Sequence, residues 1–222
     1  MKLLIDRDEV EFSDDELDYM FIGEGTEAEV FQYRDEALKL YKDYCMKYRL
    51  SEEEAVKLTT IPTKRILLPR KIIRIPENSE FKGYTTKFIR KCSRNAILNM
   101  EMEHFLDELE ILEDDMRLLA DNGVDVDDFN LDNMLYDGSL YFCDPGSFTF
   151  RRNTHEGEIY RNNISQLNTF VLDDLFRLVK ISKAKRRKYD SNYDESECLS
   201  WQMREMATGS ESIKQHIKRM TK

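Results

Sequence analysis

The stretch that most restricts how this chain can fold runs from Val126 to Phe148, VDDFNLDNMLYDGSLYFCDPGSF. Two short apolar runs, Met134-Leu135-Tyr136 and Leu140-Tyr141-Phe142, flank the turn dipeptide Asp137-Gly138. Alternating runs about an Asp-Gly pair predict a β-hairpin. A hairpin returns the chain on itself, so Asn133 at its entry and Asp144 at its exit are expected side by side. An amide and a carboxylate at adjoining strand ends are hard oxygen donors of the kind Mg²⁺ accepts beside substrate phosphates. Asp128, on the loop just before, is placed to orient an attacking hydroxyl.

A length of 222 residues allows one sizeable core or two small lobes. The chain is 41% hydrophobic and 35% charged with a net charge of −10, which argues against nucleic-acid binding by the surface as a whole. No apolar run approaches the length of a membrane span. The start, MKLLIDRDEVEF, turns acidic after five residues and is not read as a signal peptide. Cys45, Cys92, Cys143 and Cys198 are scattered, and the three histidines are dispersed, so neither a disulfide framework nor a zinc site is expected. Reduced thiols in a cytoplasmic protein are the plain reading.

Taken in order, Leu3-Leu4-Ile5 predicts a strand and residues 6–18 an acidic segment. Tyr19–Ile22 and Val30-Phe31 flank the turn Gly23-Glu24-Gly25-Thr26-Glu27-Ala28-Glu29, where glycines let backbone N–H groups approach a phosphate. Glu36–Tyr41 alternates as a strand, and Lys39, if it points inward, needs an anion. A helix is expected over roughly 45–61, stopped by Pro62, with Ala55, Leu58 and Ile61 at helical spacing behind Glu52, Glu53 and Glu54. Strands are expected at 66–68, 72–75 and 83–89. The clearest helix is 95–121, with Ile97, Leu98, Met102, Phe105, Leu109, Leu112, Met116 and Leu119 on one face and the stop Asn122-Gly123. His104 reads as a surface residue of that helix. A further helix is expected from about Asn162 to Leu178, then a basic run, Lys180 to Lys188, read as a solvated helix end, and a polar tail anchored by Trp201.

Asp128-x-x-x-x-Asn133 followed by Asp144-Pro145-Gly146 resembles the catalytic loop and metal motif of the protein-kinase-like superfamily. The glycine turn and Ala37-Leu38-Lys39 add to the likeness, with Ala28 where the family has its third glycine and Val30 where it has valine. The resemblance implies an α+β, two-lobed fold. Residues 1–90 would form an antiparallel sheet with one helix, and 91–222 a reduced, mainly α-helical lobe.

It further implies ATP and Mg²⁺ as cofactors. Ile22, Gly23, Gly25, Ala28, Val30, Ala37 and Phe88 would surround the nucleotide. Lys39 would hold its phosphates, braced by Glu54 (or Glu53), while Asn133 and Asp144 take the metal. Asp128, Lys39 and Asn133 would carry the catalysis, and Cys143 borders the pocket. The implied activity is transfer of the γ-phosphate to a hydroxyl, of a protein Ser/Thr or, alternatively, of a small molecule as in aminoglycoside and choline phosphotransferases. A pseudokinase serving as an interaction module is the third reading. The chain departs from the family at Val126-Asp127, where His-Arg is usual, at Asn130, where a lysine is usual, and at Pro145 for phenylalanine. No Ala-Pro-Glu follows. Asn162-Asn163 stands about where the family has an aspartate bracing the catalytic loop.

Overall fold

The computed structural model describes residues 1–43, 49–90, 102–151 and 154–171. It is a mixed α+β fold. A seven-stranded antiparallel sheet is built from β1 (Lys2–Ile5), β2 (Asp8–Glu11), β3 (Phe21–Glu24), β4 (Ala28–Tyr33), β5 (Glu36–Tyr41), β6 (Lys71–Arg74) and β7 (Phe81–Lys87), in the order β2-β1-β6-β7-β5-β4-β3. Four helices are seen among the described residues: α1 (Asp14–Met20), α2 (Glu52–Leu58), α3 (Met102–Asp121) and α4 (Glu156–Thr169). Two small ladders complete the set, β9 (Met134–Tyr136) with β10 (Leu140–Phe142), and β8 (Val124–Asp125) with β11 (Thr149–Phe150). No described helix is long and apolar enough to cross a membrane.

The sheet is covered on both faces, and the strand carrying Lys39 shows why. Side chains alternate along a strand, so Leu38 and Leu40 point one way and Lys39 and Tyr41 the other. Leu38 and Leu40 pack with Leu3, Ile5, Phe12, Phe31 and Ile73, closed over by Val10, Leu17 and Met20. The acidic segment 6–18 is therefore not a plain connection. It forms β2 and α1, the latter started by a capping box in which Ser13 and Glu16 satisfy each other's backbone N–H groups. On the opposite face Tyr41 and Tyr84 pack with Leu50, Ala55 and Leu58, and the same core runs on into Leu109, Leu112, Met116 and Leu119 of α3. Gly83 permits the close pairing of β7 with β5, because a Cβ there would lie 1.9 Å from the Lys39 carbonyl oxygen.

Three expectations shift. The helix expected over 45–61 is described only as Glu52–Leu58, capped by Ser51, and residues 44–48 lie outside the described set. Segment 66–68 is not a strand; Ile66 makes one isolated parallel bridge to Phe142. Asp115, buried on α3, accepts the backbone N–H groups of Lys64, Arg65 and Ile66 at 2.6–3.1 Å, while Leu67 donates to the Phe142 carbonyl (2.6 Å), so the segment is shared between α3 and β10. The last helix begins at Glu156, capped by His155, six residues before Asn162. Residues 172–222, with the basic run and Trp201, lie outside the described residues, as do 91–101 around the expected lobe boundary.

A second buried carboxylate, Glu108, completes the hold of α3 on its surroundings. It takes a two-point contact from Arg65 (2.7 and 2.9 Å) and the N–H of Leu140 in β10 (2.9 Å). Burial alone would raise its pKa, but Arg65 and the Leu140 N–H outweigh it and hold the carboxyl below the usual glutamate value. For an acid with a lowered folded pKa, the stabilisation is complete above the unfolded value and is lost as pH falls through the folded one. The substitution Glu108→Gln is thus expected to flatten the acid limb of a stability-versus-pH curve. Asp115→Ala, which orphans three backbone donors, should cost about 3 kcal/mol in urea unfolding.

Candidate active site

The loop between β8 and β9 is built from below. Phe129 stacks on Phe142 of β10, with ring centroids 3.7 Å apart, and meets Phe170 edge-on at 5.3 Å. That apolar anchor leaves the polar residues on either side facing out. Its backbone is braced by Asn163 of α4, which is fully buried. The Asn163 Oδ1 accepts the Val126 N–H (2.8 Å), and its amide donates to the carbonyls of Met116 (3.2 Å) and Val124 (3.0 Å). Of the pair Asn162-Asn163 that stands about where the family has its bracing aspartate, Asn163 reaches the loop, and it donates as well as accepts. An aspartate could not make the two donations.

Asp128 sits in the left-handed region, φ 57°, a conformation that asparagine and aspartate tolerate better than most residues. Its carboxylate accepts the Asn130 amide (2.6 Å) and the Asn133 amide (3.2 Å). Asn133 therefore commits its nitrogen to Asp128 and keeps Oδ1 as the atom to offer a cation. The hairpin forms in the expected register, and the Cys143 N–H bonds the Asn133 carbonyl at 2.9 Å. Asp144, the next residue, thus starts from backbone adjacent to Asn133. Asp144 is also left-handed, φ 70°, and its Oδ1 accepts the Gly146 N–H at 3.3 Å. Ser147 Oγ donates to the Asp127 carbonyl (2.9 Å), tying this turn to the Asp128 loop.

Lys39 reaches the same place from β5. Its ammonium contacts Asp144 Oδ1, from a residue 105 positions away, and Glu27 Oε1 at 2.7 Å. Burial would lower the lysine's pKa, but Asp144 and Glu27 together reverse this and raise it, so it stays charged. Burial is also the largest effect on Glu27, whose pKa is raised despite the lysine. Tyr41 and Tyr84, whose rings lie 5.9 and 6.0 Å from the ammonium, are pushed up by burial and remain neutral.

The expected partner of Lys39 is corrected here. Glu54 is occupied by the capping box of α2, its carboxylate accepting the N–H (2.9 Å) and hydroxyl (2.8 Å) of Ser51. Glu53, the alternative, pairs with Lys57 at 2.5 Å. The carboxylate comes instead from Glu27, inside the glycine turn. The signal available in the sequence was Ser51-x-x-Glu54 itself, a capping-box pattern that already accounts for Glu54.

The remaining expected residues fall around this cluster. Val30 lies directly opposite Lys39 in β4, and Ala37 opposite Thr86 in β7. Ile22 is half exposed on β3, while Ala28 is buried against Tyr41 and so serves the core as well as the turn. Phe88 is half-buried and its N–H bonds the Asp35 carbonyl. An apolar patch that sequence reasoning missed, Leu67, Ile89 and Tyr141 with Leu135 and Cys143, adjoins Asp144 through Cys143. Gly23 and Gly25 have no positive φ, and a Cβ at either would meet nothing closer than 4.0 Å. Packing does not require glycine at these two positions. His104, rather than lying free on the helix surface, reaches the hairpin turn, 2.6 Å from the Gly138 carbonyl.

Among the described residues no group of three or more His, Cys, Asp or Glu side chains is arranged to hold a metal by itself. The donors present are Asp144 Oδ2 and Asn133 Oδ1, a hard oxygen pair that suits a Mg²⁺ completing its shell with phosphate oxygens. No protein-family model matches the chain, and no curated protein matches it. The Asn163 geometry gives a direct check on how the loop is held. Asn163→Asp, which keeps the shape and replaces two donated hydrogen bonds with a buried charge, should cost about 2–4 kcal/mol in chemical unfolding.

Proposed function

We propose that this chain is a two-lobed, protein-kinase-like phosphotransferase that moves the γ-phosphate of Mg-ATP to a hydroxyl. The observation that carries the reading is the meeting of Lys39 with Asp144, beside a loop in which Asn133 and Asp128 are hydrogen-bonded to each other. A buried lysine shared by two carboxylates, beside the carboxamide at the adjoining strand end, leaves the cluster net negative, and a divalent cation carrying phosphates is the ligand that would balance it.

The roles follow from the chemistry of each group. Lys39 holds nucleotide phosphate oxygens through its remaining N–H. Asp144 and Asn133 are the residues to hold Mg²⁺, which would neutralise charge on the phosphates. Asp128 accepts the proton of the attacking hydroxyl, kept in place by the Asn130 and Asn133 amides. The adenine would rest on the patch of Leu67, Leu135, Tyr141 and Cys143, with Val30 and Ala37 on the Lys39 face of the sheet. The open glycines of the turn are free to let backbone N–H groups approach the phosphates.

A second reading concerns the acceptor, which the sequence resemblance led us to expect first on a protein Ser/Thr. Only residues 147–155 separate Gly146 from α4, and β11 uses two of them. That connection is too short for the extended peptide-docking segment of regulated protein kinases. It favours a compact hydroxyl acceptor, as in small-molecule phosphotransferases.

Mg-ATP is expected to raise the melting temperature of the protein, and Lys39→Ala or Asp144→Asn to abolish the rise. Asp128→Asn should keep the rise yet slow phosphate transfer by about 10² or more. A shift that survives Lys39→Ala, or none with the unaltered chain, would defeat the nucleotide assignment. In the same assay Gly25→Ala should leave the ligand-free melting temperature within a degree or so while weakening Mg-ATP binding, whereas Gly83→Ala should lower the melting temperature outright.

A further inference from the structure

We infer that Glu27, carried by the glycine turn, is the positioning residue for Lys39, so that the turn and the phosphate-holding lysine move as one unit. The inference rests on the nucleotide reading of this site, but its central contact is tested without nucleotide.

The first argument is elimination on α2. All three acids at its start are already engaged: Glu52 with Arg74 (2.8 Å to Nε), Glu53 with Lys57 (2.5 Å) and Glu54 with Ser51. Apart from Asp144, the carboxylate that reaches Lys39 is Glu27, at 2.7 Å and with both side chains nearly nine-tenths buried.

The second argument is how firmly Glu27 is held. Its carbonyl accepts the Lys42 N–H (2.9 Å), and the Gly25 N–H bonds the Ala28 carbonyl (2.9 Å), closing the turn on itself. A second lysine of the same segment repeats the arrangement. Lys42 Nζ reaches Glu24 Oε2 (2.8 Å) and the Gly25 carbonyl (3.0 Å). The glycine turn is thus fastened to β5 and the residue after it by two lysine–glutamate contacts, one exposed and one buried. An ammonium has three N–H groups. Glu27 and Asp144 take two, which fixes the direction of the third.

The third argument is a residual imbalance. Glu27 Oε2 is buried and has no hydrogen-bond partner. The groups facing this carboxylate are Lys39 and Tyr41 of β5, Tyr84 of β7 and Asp144 after β10. One ammonium therefore serves two carboxylates. Such a buried acid is poor value as a structural brace, since an isosteric amide would be easier to bury. Its presence is explained if the negative charge is needed to orient and hold the lysine.

The test measures Lys39 directly. Lysine acylation by an N-hydroxysuccinimide ester, followed residue by residue by mass spectrometry in the absence of nucleotide, should show Lys39 protected in the unaltered protein. With Glu27→Gln its labelling rate should rise about fivefold or more, with Glu27→Asp by less, and with Glu54→Gln not at all. Calorimetric titration with Mg-ATP should show affinity about tenfold weaker in Glu27→Gln, partly recovered in Glu27→Asp. The melting temperature of Glu27→Gln should not fall, a result that a merely structural carboxylate would not give. Unchanged Lys39 labelling in Glu27→Gln, or release by Glu54→Gln instead, overturns the inference. So does tighter Mg-ATP binding by Glu27→Gln, which would make Glu27 a competitor of phosphate. If the unaltered chain binds no Mg-ATP, the nucleotide reading falls, and the labelling arm alone decides the Glu27–Lys39 pairing.

Discussion

Much of this structure depends on two carboxylates that α3 keeps out of water. Asp115 gathers the amides of residues 64–66, and Glu108 joins Arg65 to the first residue of β10. Segment 64–68 leads from α2 back into the sheet, and β10 leads to Asp144. One helix therefore fixes both the sheet side and the hairpin side of the cluster around Lys39. The Lys39–Asp144 ion pair is backed by these contacts and by the apolar core that runs from Tyr41 and Tyr84 through α3 to Met134 and Phe142. With Lys39 buried and Asp144 partly exposed, the pair by itself contributes little once its desolvation is counted. The preorganisation lies in the backbone hydrogen bonds behind it.

The cluster is also unusual in its charge economy. Neutral tyrosines and apolar strands surround a single ammonium and two carboxylates, with Asp128 on the adjacent loop. The local field is negative, so a polyphosphate is repelled unless it brings a divalent cation with it. Under the proposed function, metal and nucleotide would bind together as one ligand. The Asn130 and Asn133 amides both donate to Asp128.

Local patterns carried a good part of this in the sequence. The hairpin at Asp137-Gly138, the alternation of β5 and the apolar face of α3 are governed by near-neighbour rules, and all three are present. The hairpin places Asn133 near Asp144 by local rules, whereas in the sequence Lys39 is joined to them only through the resemblance to the protein-kinase-like superfamily. What could not be read is long-range polar pairing. Glu27 and Glu54 are both acids near Lys39 in sequence, and only the folded backbone decides which one arrives. The same holds for Asp115 and Glu108, which sit among apolar residues on α3 and look, in sequence, like its solvent side. Segment 66–68 has the composition of a strand, but the Asp115 carboxylate, 49 residues away, claims the Ile66 amide, and a single bridge to β10 remains. The α1 cover was hidden by its acidity, since its apolar contacts are only Leu17 and Met20.

Gly83 and the second core layer have a bearing on how this chain can change over time. Because β5 is sandwiched, Lys39 is flanked in sequence by Leu38 and Leu40, each committed to the opposite layer. A single inserted or deleted residue upstream in that strand would exchange the two faces. The ammonium would then enter a purely hydrocarbon layer while a leucine took its seat among Glu27 and Asp144. An inserted or deleted residue within β5 is accordingly far more disruptive than the same change in a turn.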